Sequence, residues 1–132
     1  MVVDGSVLLA ILLRAPDAAR FDAALADASV RLISAVTRAE VACVVENRKG
    51  APGRTALKRL LGEGDFETAA VTPQQADLAA DAFRRFGTGR QSAALTLDDC
   101  FAYALAQTVG LPLLFRGERF RQNDVTAALP RE

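Results

Sequence analysis

Four short apolar runs, separated by stretches of helical hydrophobic period, leave this 132-residue chain few architectures. The runs are Met1 to Asp4, Arg31 to Ser34, Phe66 to Val71 and Leu111 to Phe115. Strands separated by helices are joined through right-handed crossovers, which makes the sheet parallel and covers both its faces. The expectation is an α/β protein with about four strands and six or seven helices. No repeat or interdomain linker breaks the pattern, so one domain over residues 1–132 is expected.

The helices announce themselves by their caps. Gly5 and Ser6 provide a turn and an N-cap before a helix through Val7 to Leu13. Pro16 opens a second pattern through about Ala28, with Phe21, Ala24, Leu25 and Ala28 on one stripe. Ser34 or Thr37 caps a third, and 47–53 connects it to a fourth marked by Ala56, Leu57, Leu60 and Leu61. Thr72 and Pro73 start a fifth, whose Ala76, Ala79, Ala80 and Phe83 stripe ends near Gly87. A short helix over 124–129 closes the chain.

Between Ala93 and Ala106 two adjacent acids, Asp98 and Asp99, open an otherwise almost wholly apolar helix that stops at Gly110. Thr96 with Asp99 three residues on makes a capping box, which accounts for one aspartate and not for both. At 100° per residue, Asp99, Tyr103 and Gln107 share a polar row, opposite a face of Cys100, Phe101, Ala104, Leu105 and Thr108. Asp99 is thus expected to look outward from a helix that the core holds.

The chain contains no histidine. That removes the usual general base, the Ser-His and Cys-His nucleophiles and every imidazole metal site. Catalysis would have to run on carboxylates, whose oxygens suit Mg²⁺ or Mn²⁺ rather than zinc. The net charge is zero, and 14 of the 16 cations are arginine, the side chain that forks onto phosphate. This excludes a general nucleic-acid coat and permits a local basic rim. Cys43 and Cys100 fall in apolar helical patterns and are expected to be small core residues, consistent with a reducing cytoplasm. The early apolar run Val7 to Leu13 is too short to span a bilayer, so neither export nor membrane insertion is expected.

Asp4 ends the first strand at the carboxyl edge of the sheet, where open parallel sheets place their ligands. The first turn of the helix after Thr96 reaches the same edge, and Glu40 joins if its helix packs beside the first strand. Each acid also has a plain structural reading, Asp4 as a cap and Glu40 as a partner of its helix dipole. Brought together, three carboxylates repel unless a divalent cation neutralises them. Such an ion would lower the pKa of a bound water and stabilise a phosphoryl transition state.

These residues resemble the PIN-domain endoribonuclease toxins of the VapC type, from bacterial toxin-antitoxin pairs. Val2 to Ser6 is similar to the family's opening strand, Leu32 to Glu40 to its second motif, and Leu95 to Ala106 with Leu113 to Gly117 to its last two. The resemblance covers nearly the whole chain. It implies a PIN-like three-layer α/β/α fold with a short parallel sheet of four to five strands and about seven helices. It makes Asp4, Glu40 and Asp99 the catalytic, metal-binding acids, with Ser6 as a supporting polar residue and Mg²⁺ or Mn²⁺ as cofactor. It also implies RNA, often tRNA, as substrate and a cognate antitoxin as partner.

The chain departs from the family at two places. Gly5 stands where the family usually has a hydroxyl residue. Arg119 stands where its fourth acid precedes the phenylalanine, with Glu118 and Asp124 as nearby acids that would compensate. An Arg-lined approach for RNA is expected from Arg14, Arg38, Arg90, Arg116, Arg119 and Arg121, since an acidic cleft alone repels RNA. A homodimer that also binds the antitoxin is expected through apolar stripes such as Phe21, Leu25 and Leu57, Leu60, Leu61. The rival readings are a weakened or inactive PIN-fold binding module and a phosphoacceptor signalling domain. The latter needs a nearby lysine, and the only two, Lys49 and Lys58, lie mid-chain.

Overall fold

A computed structural model describes residues 1–87, 94–120 and 124–129. Its elements run β1 (Val2–Val3), α1 (Gly5–Leu12), α2 (Ala18–Asp27), β2 (Leu32–Ser34), α3 (Ala35–Lys49), α4 (Ala51–Glu63), β3 (Glu67–Ala69), α5 (Pro73–Phe86), α6 (Leu97–Val109) and β4 (Leu113–Leu114). The strands form one parallel sheet in the order β3-β2-β1-β4. The first two crossovers step outward from β1 on one side, and the third returns to its other side. Between β1 and β4, therefore, the sheet has its topological switch point, with a crevice at the carboxyl ends.

Two-residue strands hold because alternate side chains enter different cores. Val2 and Leu113 pack with α5 and α6, whereas Val3, Leu114 and Ile33 pack with Phe21, Leu25, Val41 and Leu57 of α2, α3 and α4. The result is the three-layer α/β/α arrangement. Six helices lie among the described residues, against an expectation of about seven. The expected helix at 124–129 is the difference. Leu113 N–H donates to Thr126 O at 2.8 Å and Ala128 N–H to Leu113 O at 2.9 Å, so this tail lies along the outer edge of β4. An open strand edge offers the tail two backbone hydrogen bonds that a short isolated helix could not replace.

Three other expectations about burial are corrected. Phe21, Leu25, Leu57 and Leu61 are buried within the chain, and Leu60 is half-buried, so these stripes are core rather than docking surface. Helix α5 buries Gln75, Ala79, Ala82 and Phe86, while Ala76, Ala80 and Phe83 face outward. Cys43 is exposed on α3, and only Cys100 is in the core. Burial pushes the Cys100 thiol up to about 12, with the neighbouring Asp99 and Asp98 charges adding to it, so it is inert at neutral pH. No helix is long and apolar enough to cross a membrane among the described residues.

Candidate metal centre and nucleic-acid interface

Asp4 leaves the carboxyl end of β1 and caps α1. Its Oδ2 accepts Ser6 N–H at 3.0 Å and the Ser6 hydroxyl at 2.5 Å. Ser6 Oγ in turn accepts Arg116 N–H at 3.0 Å, which ties the segment after β4 to the first turn of α1. Asp4 is only 2% exposed, and its second oxygen, Oδ1, meets no hydrogen-bond donor among the described residues.

Helix α6 begins at the same edge. Thr96 Oγ1 accepts Asp99 N–H at 3.3 Å and Asp99 Oδ2 accepts Thr96 N–H at 2.9 Å, a complete capping box. Asp99 is therefore 3% exposed rather than outward-looking, and Tyr103 on its row is buried as well. Asp98, one residue earlier and half-buried, turns into the crevice with an Oδ1 that also lacks a donor. One oxygen from each of Asp4, Asp98 and Asp99 lies within 4.8 Å of the others. Gly5 lies against this cluster: a Cβ there would stand 3.2 Å from Val41 Cγ2, a tight contact, and 3.6 Å from Asp98 Oδ2, an ordinary one.

The electrostatics follow from crowding. Burial, then the charge of Asp99, pushes Asp4 up to about 6 against the hydrogen bonds from Ser6 and the Arg119 charge. Burial, then the charges of Asp4, Asp99 and Glu40, pushes Asp98 up to about 7, again opposed by Arg119. Arg119 Nη1 lies 3.2 Å from Asp99 Oδ2, so a cation of the chain itself reaches the cluster. The acids floor an open cavity of about 1100 Å³. Glu40 and Arg48 line it from α3, Leu9 from α1 with Leu13 just past its end, and Arg116, Glu118 and Arg119 from the segment after β4. Two buried carboxylate oxygens without donors are what a hard divalent cation satisfies, so the donor set fits such an ion.

A PIN domain match spans residues 1–125. A Ribonuclease VapC of Mycolicibacterium smegmatis is 47% identical over 127 residues, covering 96% of this chain and 98% of that one. Ribonuclease VapC30 of Mycobacterium tuberculosis is 45% identical over 131 residues, covering 98% of this chain and all of its own length. The chain belongs to the PIN-domain family of VapC ribonucleases. The crystal structure of Mycobacterium tuberculosis VapC20, described as a sarcin-ricin loop cleaving toxin, superposes with a TM-score of 0.75 at 15% identity, covering 91% of this chain and 92% of that one. At that identity the likeness concerns the fold.

In this VapC-type PIN domain Asp4 and Asp99 converge, while Glu40 is exposed on the cavity wall and Ser6 holds Asp4 in place. Glu118 lines the cavity. Asp124 instead accepts the Tyr103 hydroxyl at 2.5 Å and is not among the lining residues. Burial and that bond push Tyr103 up to about 12. Of the arginines expected to line the RNA approach, Arg116 and Arg119 line the cavity, Arg116 with its Nε 3.0 Å from Asp17. Arg38 donates to Thr68 Oγ1 at 2.8 Å, and Arg14 lies outside the lining with a backbone φ of 57°. Arg90 and Arg121 fall outside the described residues. Sequence reasoning passed over Asp98 and Arg48. Asp98 was within reach, because the capping box uses Asp99 and leaves its neighbour unexplained. Arg48 carried no signal beyond its place in the last turn of α3.

Proposed function

We propose that this chain is a metal-dependent endoribonuclease, the toxin of a toxin-antitoxin pair, that cleaves RNA at the crevice between β1 and β4. The observation that carries this reading is the convergence of Asp4, Asp98 and Asp99 with two buried oxygens lacking donors. In this reading the three aspartates hold one Mg²⁺ or Mn²⁺ ion, and Glu40 contributes from the rim. Such an ion, when bound, supplies Lewis acidity and a water of lowered pKa. Ser6 locks the Asp4 carboxylate in one orientation, the capping box does the same for Asp99, and Arg48 and Arg116 offer cationic wall to the phosphate backbone. A cognate antitoxin and a homodimer belong to the proposal; with the stripes at Phe21 and Leu57 buried, both contacts need other surface. Incubation of total RNA and of purified tRNA with the protein, with and without Mn²⁺, tests the reading. Cleavage that needs the metal and vanishes in Asp4→Asn supports it, and metal-independent cleavage overturns it.

The Arg119 to Asp99 ion pair favours a second reading, a domain weakened or silenced as a nuclease. Cleavage by the wild-type chain at millimolar Mg²⁺ rejects it.

A further inference from the structure

Arg119 is the one departure from the family's acids that touches them. Its guanidinium contacts the buried Asp99, yet the side chain as a whole is 59% exposed. The Asp99 oxygen it meets, Oδ2, is the one that accepts the Thr96 N–H of the capping box. The pairing partner is thus fixed in the fold while the guanidinium is carried on a long stem open to the cavity. A guanidinium on Asp99 lowers the repulsion that Asp4 and Asp98 feel, which is the service a divalent cation performs for the same three groups. Both cations cannot sit at full strength on one cluster, since each repels the other.

We propose that Arg119 is a built-in counter-ion of the metal-free cluster, which a divalent cation must displace from Asp99 when it binds. On displacement the exposed stem swings the guanidinium into the cavity, beside Arg48 and the Asp17-paired Arg116, where it can meet an RNA phosphate. Metal entry and the presentation of Arg119 to substrate are then one exchange. The proposal rests on the reading of Asp4, Asp98 and Asp99 as a metal site, and linkage makes it measurable without activity: whatever Arg119 adds to the stability of the metal-free state is subtracted from metal affinity.

Mn²⁺ binding by calorimetry and thermal melting with and without Mn²⁺ are to be measured on the wild type, Arg119→Gln and Arg116→Gln. For Arg119→Gln the exchange predicts Mn²⁺ binding about tenfold tighter, a lower melting temperature without metal, and a difference from wild type that shrinks at saturating Mn²⁺. Arg116→Gln removes the same charge from the wall but not from Asp99, and its affinity should move far less. Mn²⁺ affinity unchanged or weaker in Arg119→Gln, or raised equally in both variants, overturns the exchange while leaving the metal site intact. Binding in Arg119→Gln but not in the wild type supports it in its strongest form. No binding in any of the three overturns the metal site and the exchange with it.

Discussion

Asp98 and Asp99 differ in what the fold has already given them. Asp99 has the Thr96 N–H and Arg119; Asp98 has an oxygen without a donor and three negative neighbours. Asp98→Asn should therefore abolish Mn²⁺ binding and RNA cleavage while raising the melting temperature of the metal-free protein at pH 7.5, because it removes a charge that burial and repulsion oppose. A variant that melts lower than wild type would contradict this. The pH dependence has a definite sign. Carboxyls raised from 3.8 to about 6 and about 7 bind more protons in the folded than in the unfolded chain across that interval. Their contribution to stability is complete below about pH 4 and is lost as pH rises through 6 to 7, for the buried Asp4 on the order of 3 kcal/mol. Melting of the metal-free wild type should fall between pH 5 and 7.5, and that of Asp98→Asn should fall less. Mn²⁺ affinity should rise over the same window, since binding expels those protons.

At the scale of the elements, α6 is the lever, because its first turn carries two of the three converging acids and its body is buried in the core. Thr96→Ala removes a side-chain acceptor and should cost about 1 kcal/mol of stability. Because the box also orients Asp99, cleavage should fall further than the melting shift alone accounts for, as a comparison of turnover at a temperature well below both melting points would show. Equal losses would make the box a cap and nothing more. Most caps are legible in the sequence, and Ser34, Thr72, Thr96 and Gly110 stand where their chemistry places them, whereas the first helix starts at Gly5 with Asp4 as its cap, ahead of the expected cap at Ser6. The face of α5 was not legible. Alanine at 76, 79, 80 and 82 buries too little surface to mark a side, and Gln75 lies inside against its type. The tail at 124–129 is not legible as an edge segment, because its pairing joins Ala127 to Leu113 of β4, a partner that no local pattern encodes.

For the molecule as a whole, a neutral chain must bind a polyanion next to its own acids. Among the described residues the cations at the crevice are Arg48, Arg116 and Arg119, and the acids that line it, Asp4, Asp17, Glu40, Asp98, Asp99 and Glu118, outnumber them. Binding of single-stranded RNA with Mn²⁺ present should accordingly weaken with salt, with log K falling by ~0.7 per phosphate contact for each tenfold rise in salt. A flat response would exclude phosphate recognition by this surface. The site was partly legible at this scale too, since parallel strands and an acid after β1 already pointed to the carboxyl edge. The participation of Asp98 and the inward turn of Arg119 required coordinates, because both depend on where the segment after β4 crosses the start of α6. RNA cleavage is proposed to depend on one divalent ion held by Asp4, Asp98 and Asp99. The most direct measurement is Mn²⁺ titration of the wild type and of the three single Asp→Asn variants, run in parallel with cleavage of the same RNA pool. The wild type should bind about one ion per chain, with binding and cleavage lost together in each variant; wild-type Mn²⁺ affinity retained in any of the three rules out the shared site.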